Sequence, residues 1–479
     1  MSRTVAAALL LWALALGCEK SESDPAPPSA SPTEKSAAAA KSDDGFRRVV
    51  VVHLDTTRVD GIGCFGGIAK TPNIDELCRR GRRYTNAIAP TPLTSPSIAS
   101  FMTGRLTHRS GVYSVGGALR DELVTLAEVL GRNGFVTGGF TSNMVVANRS
   151  DGLSWGFDQG FQTYRAALDE PKATASGQPH SIARDNAAVL TREALAFVDE
   201  HADEKFFLWL LYIDPHAPYA PPAPYDTMYA EEPRVLADRR DLDPETVGRQ
   251  AYVEPVVDSA YYVSRYYGEI SLVDRSVGEL LERIDALPGE TLWVVTADHG
   301  ESLGDYDDWF EHGATVRHSC VNVPLILVAD GVPPGESAAL VANVDLAPTI
   351  LDLLGLSAEP LAADGRSLRP TFERPDPWPD RLIPINLGRG RRWRGVRSRD
   401  FVLQTELDLR SAREKSSSLY DLRNDPEETK DVAAANPAEF RRHKRYERKW
   451  FRGTGALPPR DVRTDYEMSE RLRALGYAE

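Results

Sequence analysis

The sequence predicts a layered α/β domain: a large mixed, mostly parallel sheet held between helices, followed by a smaller C-terminal α+β subdomain. Three observations carry this reading. Continuous apolar runs of strand length recur at Val49–Leu54, Phe206–Ile213 and Leu292–Val295, as expected of strands buried on both faces. Helical patterns lie between them, such as Leu126–Leu130 and Ser276–Leu287. Strands alternating with helices argue for layered α/β packing. Each apolar run also passes directly into residues of catalytic type: Asp55, then Asp214-Pro215-His216, then Asp298-His299. Open α/β sheets bind ligands beyond the carboxyl ends of their strands, so these three distant segments are expected to converge.

The flanking segments read differently. Arg3, the apolar run Ala6–Leu16 and the Gly17-Cys18 junction form an export signal over residues 1–17. That run is too short to span a bilayer comfortably. Leu14–Cys18 resembles a bacterial lipobox, which would make Cys18 the lipidated first residue of an exported, membrane-anchored lipoprotein of a bacterial cell envelope. Residues 18–45 are rich in Ser, Ala, Pro, Lys and Asp and cannot bury enough apolar surface to fold, so they read as a tether. Order is expected from Phe46, with a catalytic domain over 46–370 and the C-terminal subdomain over 371–479. In that last part Arg389–Arg399 is locally basic, Arg394–Gln404 is strand-like and Pro437–Trp450 is helical.

Composition bounds the chemistry. A chain of 479 residues that is 42% hydrophobic and 26% charged is ordinary globular protein. The formal net charge of -14 leaves no basic footprint for nucleic acid. Any anion site must therefore be local. Cys64, Cys78 and Cys320 match no zinc spacing. They are expected as small apolar fillers, with one bridge left open.

Asp298-His299 offers a carboxylate oxygen beside an imidazole nitrogen, a pairing suited to a divalent cation. A turn with a capping Asp is the alternative. Asp55 is a natural third ligand, or else an N-cap. Thr94-Ser95-Pro96-Ser97 precedes a short helical stretch, with Pro96 fitting the first helical position and Ser95 the cap. The Thr94 hydroxyl would then sit just before a helix N-terminus, where free N–H groups favour an alkoxide or an oxyanion. Plain helix capping is the competing account.

Taken in order, these segments resemble the sulfatase family of the alkaline phosphatase superfamily, over about residues 47–477. Val51–Asp60 resembles its first metal-binding strand, and Thr71–Leu77 its TPN-[IL]-D-x-L segment. Thr94–Ser97 with Thr103-Gly104 resembles the nucleophile motif, and Asp214–Tyr219 the DPHxPY loop. Asp298–Glu301 matches the second metal motif; Val344–Thr349, Leu419–Leu422 and Asp425–Glu427 resemble later landmarks. The resemblance implies metal ligation by Asp55, Asp298 and His299. By family likeness the ion is Ca²⁺, while a set with few carboxylates suits Zn²⁺ or Mn²⁺ as well. A second ion near Asp214, His216 and His312 is a weaker expectation. The resemblance places Thr94 at the nucleophile position, and His216 and His312 against the transferred or leaving group. His312 stands where many sulfatases carry Lys.

Four departures shape the functional reading. The modified Cys or Ser of the family motif is Thr94, and the motif's Arg is Ile98. The second Asp of the first-strand pair is Thr56, and the Gly-Lys-Trp-His segment aligns with Thr141–Met144. These changes point away from the formylglycine route and toward an unmodified hydroxyl nucleophile. The expectation is a metal-dependent hydrolase of sulfate or phosphate esters using Thr94, with phosphate esters favoured. Its substrate would be an anionic ester: a sulfated or phosphorylated glycan, lipid or small molecule. A phospho-headgroup transferase and a catalytically inactive lipoprotein that binds anionic glycans are the alternatives.

Overall fold

β1 (Arg48–Leu54) runs through the middle of the main sheet with every residue buried. Its four consecutive valines favour the extended state and pack both ways from the pleat. The computed structural model describes residues 45–147, 156–166, 186–243, 247, 256–373, 378–387, 392–452 and 456–458. The export signal, Cys18 and nearly all of the tether lie outside the described residues. Among the described residues, no helix is long and apolar enough to cross a membrane.

The other strands of this sheet are β2 (Arg82–Tyr84), β3 (Val136–Thr141), β4 (Thr163–Ala166), β5 (Phe206–Tyr212), β6 (Thr291–Ala297), β7 (Leu325–Val328) and β8 (Gly335–Ser337). Their order is β8-β2-β7-β6-β1-β5-β3-β4. The run from β6 to β4 is parallel throughout. β7 lies antiparallel to β6 and β2, so the sheet is mixed and mostly parallel.

The two faces of β1 feed two cores. Val49 and Val51 join Trp209, Val294 and the helix α1 (Thr94–Thr103) through Ile98, Phe101 and Met102. Val50, Val52 and Leu54 join Trp293 and the helices α2 (Asn186–Glu200) and α3 (Ser259–Asp285) through Leu190, Phe197, Ile270 and Val273. Each such fully buried side chain stabilises by about 1.5–3 kcal/mol. The sheet is thus held between helical layers.

A second, antiparallel sheet closes the described chain, from Ile383–Asn386 through Trp393–Arg397 and Phe401–Leu407 to Glu414–Asp421. The helix α4 (Pro437–Phe451) follows it. Val396, Leu403 and Leu419 form a small core there, against which Phe440 packs.

Two expectations need correction. α3 starts at Ser259, well before Ser276. Asp258 caps it by accepting the Ala260 N–H at 3.0 Å, and its first turns bury Tyr262, Tyr266 and Tyr267. Aromatic bulk fills that stretch of the core, where an aliphatic stripe would have been easier to see. Cys64 and Cys78 are bonded to each other and are not apolar fillers. Asp75 accepts the Cys64 N–H at 2.7 Å, which folds the loop after β1 over the helix bearing Cys78. Among the described residues, only Cys320 is a buried free thiol.

Candidate active site

Strand register builds the site. Leu54 pairs with both Tyr212 and Ala297, so Asp55 and Asp298 leave the sheet at one level. Thr141 pairs with Leu211, which brings Asn143 to the same rim. Two local features aim the side chains. Thr56 sits at φ 51°, a rare conformation for a β-branched residue. It is held there by its N–H to Asp298 Oδ1 (3.2 Å), its hydroxyl to Pro215 O (2.8 Å) and its carbonyl accepting Tyr266 (2.9 Å). Thr56 therefore turns the chain and orients Asp298. At Gly300 a Cβ would lie 2.1 Å from the Ser319 carbonyl, so only glycine lets the chain after His299 pass so close.

Asp55, Asp298 and His299 are fully buried and bring one donor atom each within 4.8 Å of one another. His299 Nε2 lies 3.4 Å from Asp298 Oδ2 and 4.0 Å from Asp55 Oδ1. The Nδ1–H of His299 donates to the Gly300 carbonyl at 2.9 Å. The nitrogen carrying the lone pair is then Nε2, which faces the carboxylates, the tautomer a metal ligand needs. Asn143 Nδ2 donates to Asp55 Oδ2 at 2.5 Å. Asp55 Oδ1 and Asp298 Oδ2 are buried without a hydrogen-bond partner. Burial, and next the Asp298 charge, push the Asp55 carboxyl well above the usual carboxylate range. Burial raises Asp298 too. Two orphaned carboxylate oxygens and an imidazole nitrogen turned to one point fit a divalent cation, which would relieve both the repulsion and the desolvation.

Thr94 Oγ1 stands 3.3 Å from His299 Nε2. Thr94 is the first residue of α1, after Leu93 as cap, so Ser95 is not the cap that the sequence predicts. Ser95 instead donates to Val145 O at 3.0 Å, and Ser97 to Asp298 O at 2.6 Å. Both hydroxyls pin the helix to the rim, so no side chain caps it. Ile98, at the position of the expected Arg, is buried in the core; α1 supplies no cation there.

Beyond Thr94 lie three histidine rings in sequence. The His312 ring centroid is 4.4 Å from that of His299 and 5.0 Å from that of His216. His216 Nδ1 donates to Ala217 O at 2.6 Å. His312 Nδ1 meets Glu301 Oε1 at 3.2 Å, and Tyr219 donates to Glu301 Oε2 at 3.0 Å. Glu301 is itself fully buried.

The weaker expectation of a second ion is corrected. Among the described residues, Asp55, Asp298 and His299 are the only such metal-ligating group, and Asp214, His216 and His312 do not form another. Asp214 Oδ1 turns away to accept the Ala187 N–H of α2 at 2.9 Å. Three residues of the site were missed in sequence: Asn143, Glu301 and Tyr219. Asn143 lies in the Thr141–Met144 segment, where the family's Lys and His are absent, so no role is read for it. The other two sit inside quoted motifs and needed only a partner.

Comparison with known proteins bears on this geometry. A family model described as Sulfatase matches residues 47–356. A choline-sulfatase of Rhizobium meliloti (strain 1021) is 26% identical over 351 residues, covering 64% of this chain and 68% of that protein. A multifunctional alkaline phosphatase superfamily protein of Trinickia caryophylli is 26% identical over 411 residues, covering 70% of this chain and 77% of that protein. Among solved structures, a phosphonate monoester hydrolase from Silicibacter pomeroyi has the same fold, with a TM-score of 0.65 at 24% identity over 85% of this chain and 94% of that one.

Proposed function

This chain belongs to the sulfatase family, and from that premise we propose that it is a metal-dependent ester hydrolase with Thr94 as nucleophile and phosphate esters as favoured substrates. One observation carries the reading. The Thr94 hydroxyl lies 3.3 Å from His299 Nε2 at the first turn of a buried helix, beside two carboxylates with orphaned oxygens. Asp55, Asp298 and His299 would hold the ion. A divalent ion held there would lower the pKa of the Thr94 hydroxyl and neutralise charge on the transferred group.

The chain's own residues then divide the work. Thr94 enters as the alkoxide and Oγ1 bonds to phosphorus or sulfur in line with the leaving oxygen. The free N–H groups at the start of α1 favour the negative charge of the transferred group. The leaving oxygen departs with a proton from His312, whose Nδ1 is committed to Glu301. That carboxylate fixes the ring and stabilises its imidazolium, as the acid of a catalytic triad does. Water then attacks the Thr94 ester and gives a proton back to His312, and Oγ1 leaves as the alkoxide. A Thr ester cannot expel sulfate by collapsing to an aldehyde, so it depends on this second attack. That dependence supports the preference for phosphate.

The names of the relatives include a choline-sulfatase and an alkaline phosphatase superfamily protein, so the substrate panel must span both ester types. Measured kcat/KM on matched aryl phosphate, phosphodiester and aryl sulfate, each with several metals, tests the reading. Phosphate esters are expected to turn over faster, and Thr94→Ala to abolish turnover with the melting temperature unchanged. A sulfate preference that survives in Thr94→Ala would refute both the nucleophile and the substrate class.

The same proposal includes export and anchoring through Cys18. The Cys64–Cys78 disulfide supports it, since such bonds persist in oxidising compartments. Cys18→Ser is expected to move activity from the membrane fraction to the soluble one. Retention in the membrane fraction would mean a different anchor.

A further inference from the structure

The charge of this protein is unevenly spread. The whole chain carries -14, yet residues 378–452 hold 19 Lys or Arg against 12 Asp or Glu. On α4 the excess is ordered. Arg441, Arg445 and Arg448, with Arg452 just beyond the helix, fall at i, i+4, i+7 and i+11, and all four are exposed. That spacing puts them on one face. None has an ion pair among the described residues, whereas the neighbouring Arg442 is paired with Asp380 and Glu439. Unpaired like charges at helical spacing repel one another, so this row is a cost to the fold.

The row ends in a concave site. Arg448 and Arg452 line a pocket of about 420 Å³ together with Arg394, Arg413, Glu414 and Phe451, a volume within the range of ligand sites. The Arg394 guanidinium lies 5.0 Å from the centre of the Phe451 ring. The one acid in the wall, Glu414, is neutralised by Lys444 at 2.9 Å. Arg413, like the four of the row, is exposed and has no ion-pair partner among the described residues.

We propose that this row and pocket form a non-catalytic docking site for an anionic glycan chain, bearing sulfate or phosphate groups. The cations are arginines, whose planar forks match such oxyanions two bonds at a time. Eleven helical residues span about 16 Å at 1.5 Å each, long enough to meet several charges of a linear chain. The pocket's aromatic ring gives a sugar face something to stack on. A flat anionic bilayer fits less well, because it would face a wide area of a protein that is acidic elsewhere. The site shares no residue with the catalytic group and does not depend on the reaction proposed above.

The test compares purified wild type, Arg441→Gln/Arg445→Gln/Arg448→Gln/Arg452→Gln, and a charge-matched control carrying Arg79→Gln, Arg132→Gln, Arg165→Gln and Arg192→Gln. Probes are a heparin hexasaccharide, neutral dextran and vesicles of phosphatidylcholine with phosphatidylglycerol, each titrated at two salt concentrations. The expected result is salt-sensitive heparin binding, weakened by about tenfold or more in the row variant and unchanged in the control. Turnover of a small aryl ester should be the same in all three proteins, and Thr94→Ala should still bind the hexasaccharide. Equal loss in both arginine variants, no loss in the row variant, or dextran binding as tight as heparin would overturn the proposal. Vesicle binding through the row in the absence of heparin binding would replace the glycan with a membrane surface.

Discussion

Two of the buried clusters of charge among the described residues are built on opposite plans. At the rim of the main sheet, Asp55 and Asp298 are fully buried, and no Lys or Arg side chain pairs with either of them among the described residues. Behind the site, where the C-terminal sheet meets the rest, Arg397, His318, Gln404 and Glu428 are joined. Arg397 Nη1 donates to His318 Nδ1 at 3.0 Å and Nη2 to Asn86 Oδ1 at 2.9 Å. Gln404 donates to Glu428 Oε2 at 2.7 Å, and Arg317 to the Glu428 carbonyl at 3.1 Å. The second cluster sets the charges of Arg397 and Arg317 near its one carboxylate and ties two sheets together. The first does not, and a fold keeps buried like charges only where something else neutralises them. That contrast, more than any single distance, marks the rim as the place for a cation.

The largest effect should come from breaking the unbalanced cluster. Asp298→Ala removes one ligand and the acceptor for the Thr56 N–H. Bound metal, counted per molecule by elemental analysis, is expected to be lost, and turnover to fall by about a thousandfold or more. Wild-type metal content in this variant would take Asp298 out of the ligand set. Next in size is the second cluster. Arg397→Met removes the donors to His318 and Asn86 and the positive charge near Glu428, which should cost about 1–3 kcal/mol in urea unfolding. The double variant Arg397→Met/Glu428→Leu should recover part of that loss, because no buried carboxyl is then left without a nearby cation. If the double variant is as unstable as the single one, the cluster acts through shape and not charge.

How far these plans could be read in sequence differs in the same way. The rim is made of residues that follow apolar strands, so Asp55, Asp298 and His299 stood out, and so did Thr94 once the motifs were aligned. The parallel core was legible because β1, β5 and β6 are nearly unbroken apolar runs. β3 was not, since two glycines interrupt it, and Asn143 was passed over because its segment lacks the expected Lys and His. The second cluster was invisible: Arg397, His318 and Glu428 come from three separate segments, and no local pattern couples them. Long-range polar pairing has no period, and the Cys64–Cys78 bond escaped for the same reason.

A smaller effect, with the opposite sign, sharpens the comparison. In metal-free protein the raised Asp55 carboxyl opposes folding at neutral pH, because ionised Asp55 must be buried against Asp298. Asp55→Asn removes that charge and keeps an oxygen for Asn143. It should therefore stabilise the metal-free protein by about 1–2 kcal/mol, while abolishing the rise in melting temperature that added metal produces in wild type. A destabilised metal-free Asp55→Asn would mean that the carboxylates are not in conflict, and the cation argument would fail with it.

The smallest effect is a slope, and it tests the second cluster from within. Burial raises the Glu428 carboxyl from an ordinary value of 4.5 to about 7, even with Arg397 and Arg317 nearby. Burial likewise lowers Arg397 to about 10, and burial with the Arg397 charge lowers His318 to about 3. Between pH 4.5 and 7 the folded protein then holds a proton on Glu428 that the unfolded chain has released. Stability from this group is fully present below the unfolded pKa and is lost as pH rises through about 7. Glu428→Gln mimics the protonated form, keeps an acceptor for Gln404 and does not titrate. The melting temperature of wild type relative to Glu428→Gln should therefore fall as pH rises from 4.5 to 7.5, and level off above it. His318, lowered from 6.5 to about 3, also adds a slope in this window, but it is present in both proteins and cancels in the difference. A flat difference across the window would mean that Glu428 is ionised in the fold, and that Arg397 pairs with it more tightly than burial opposes.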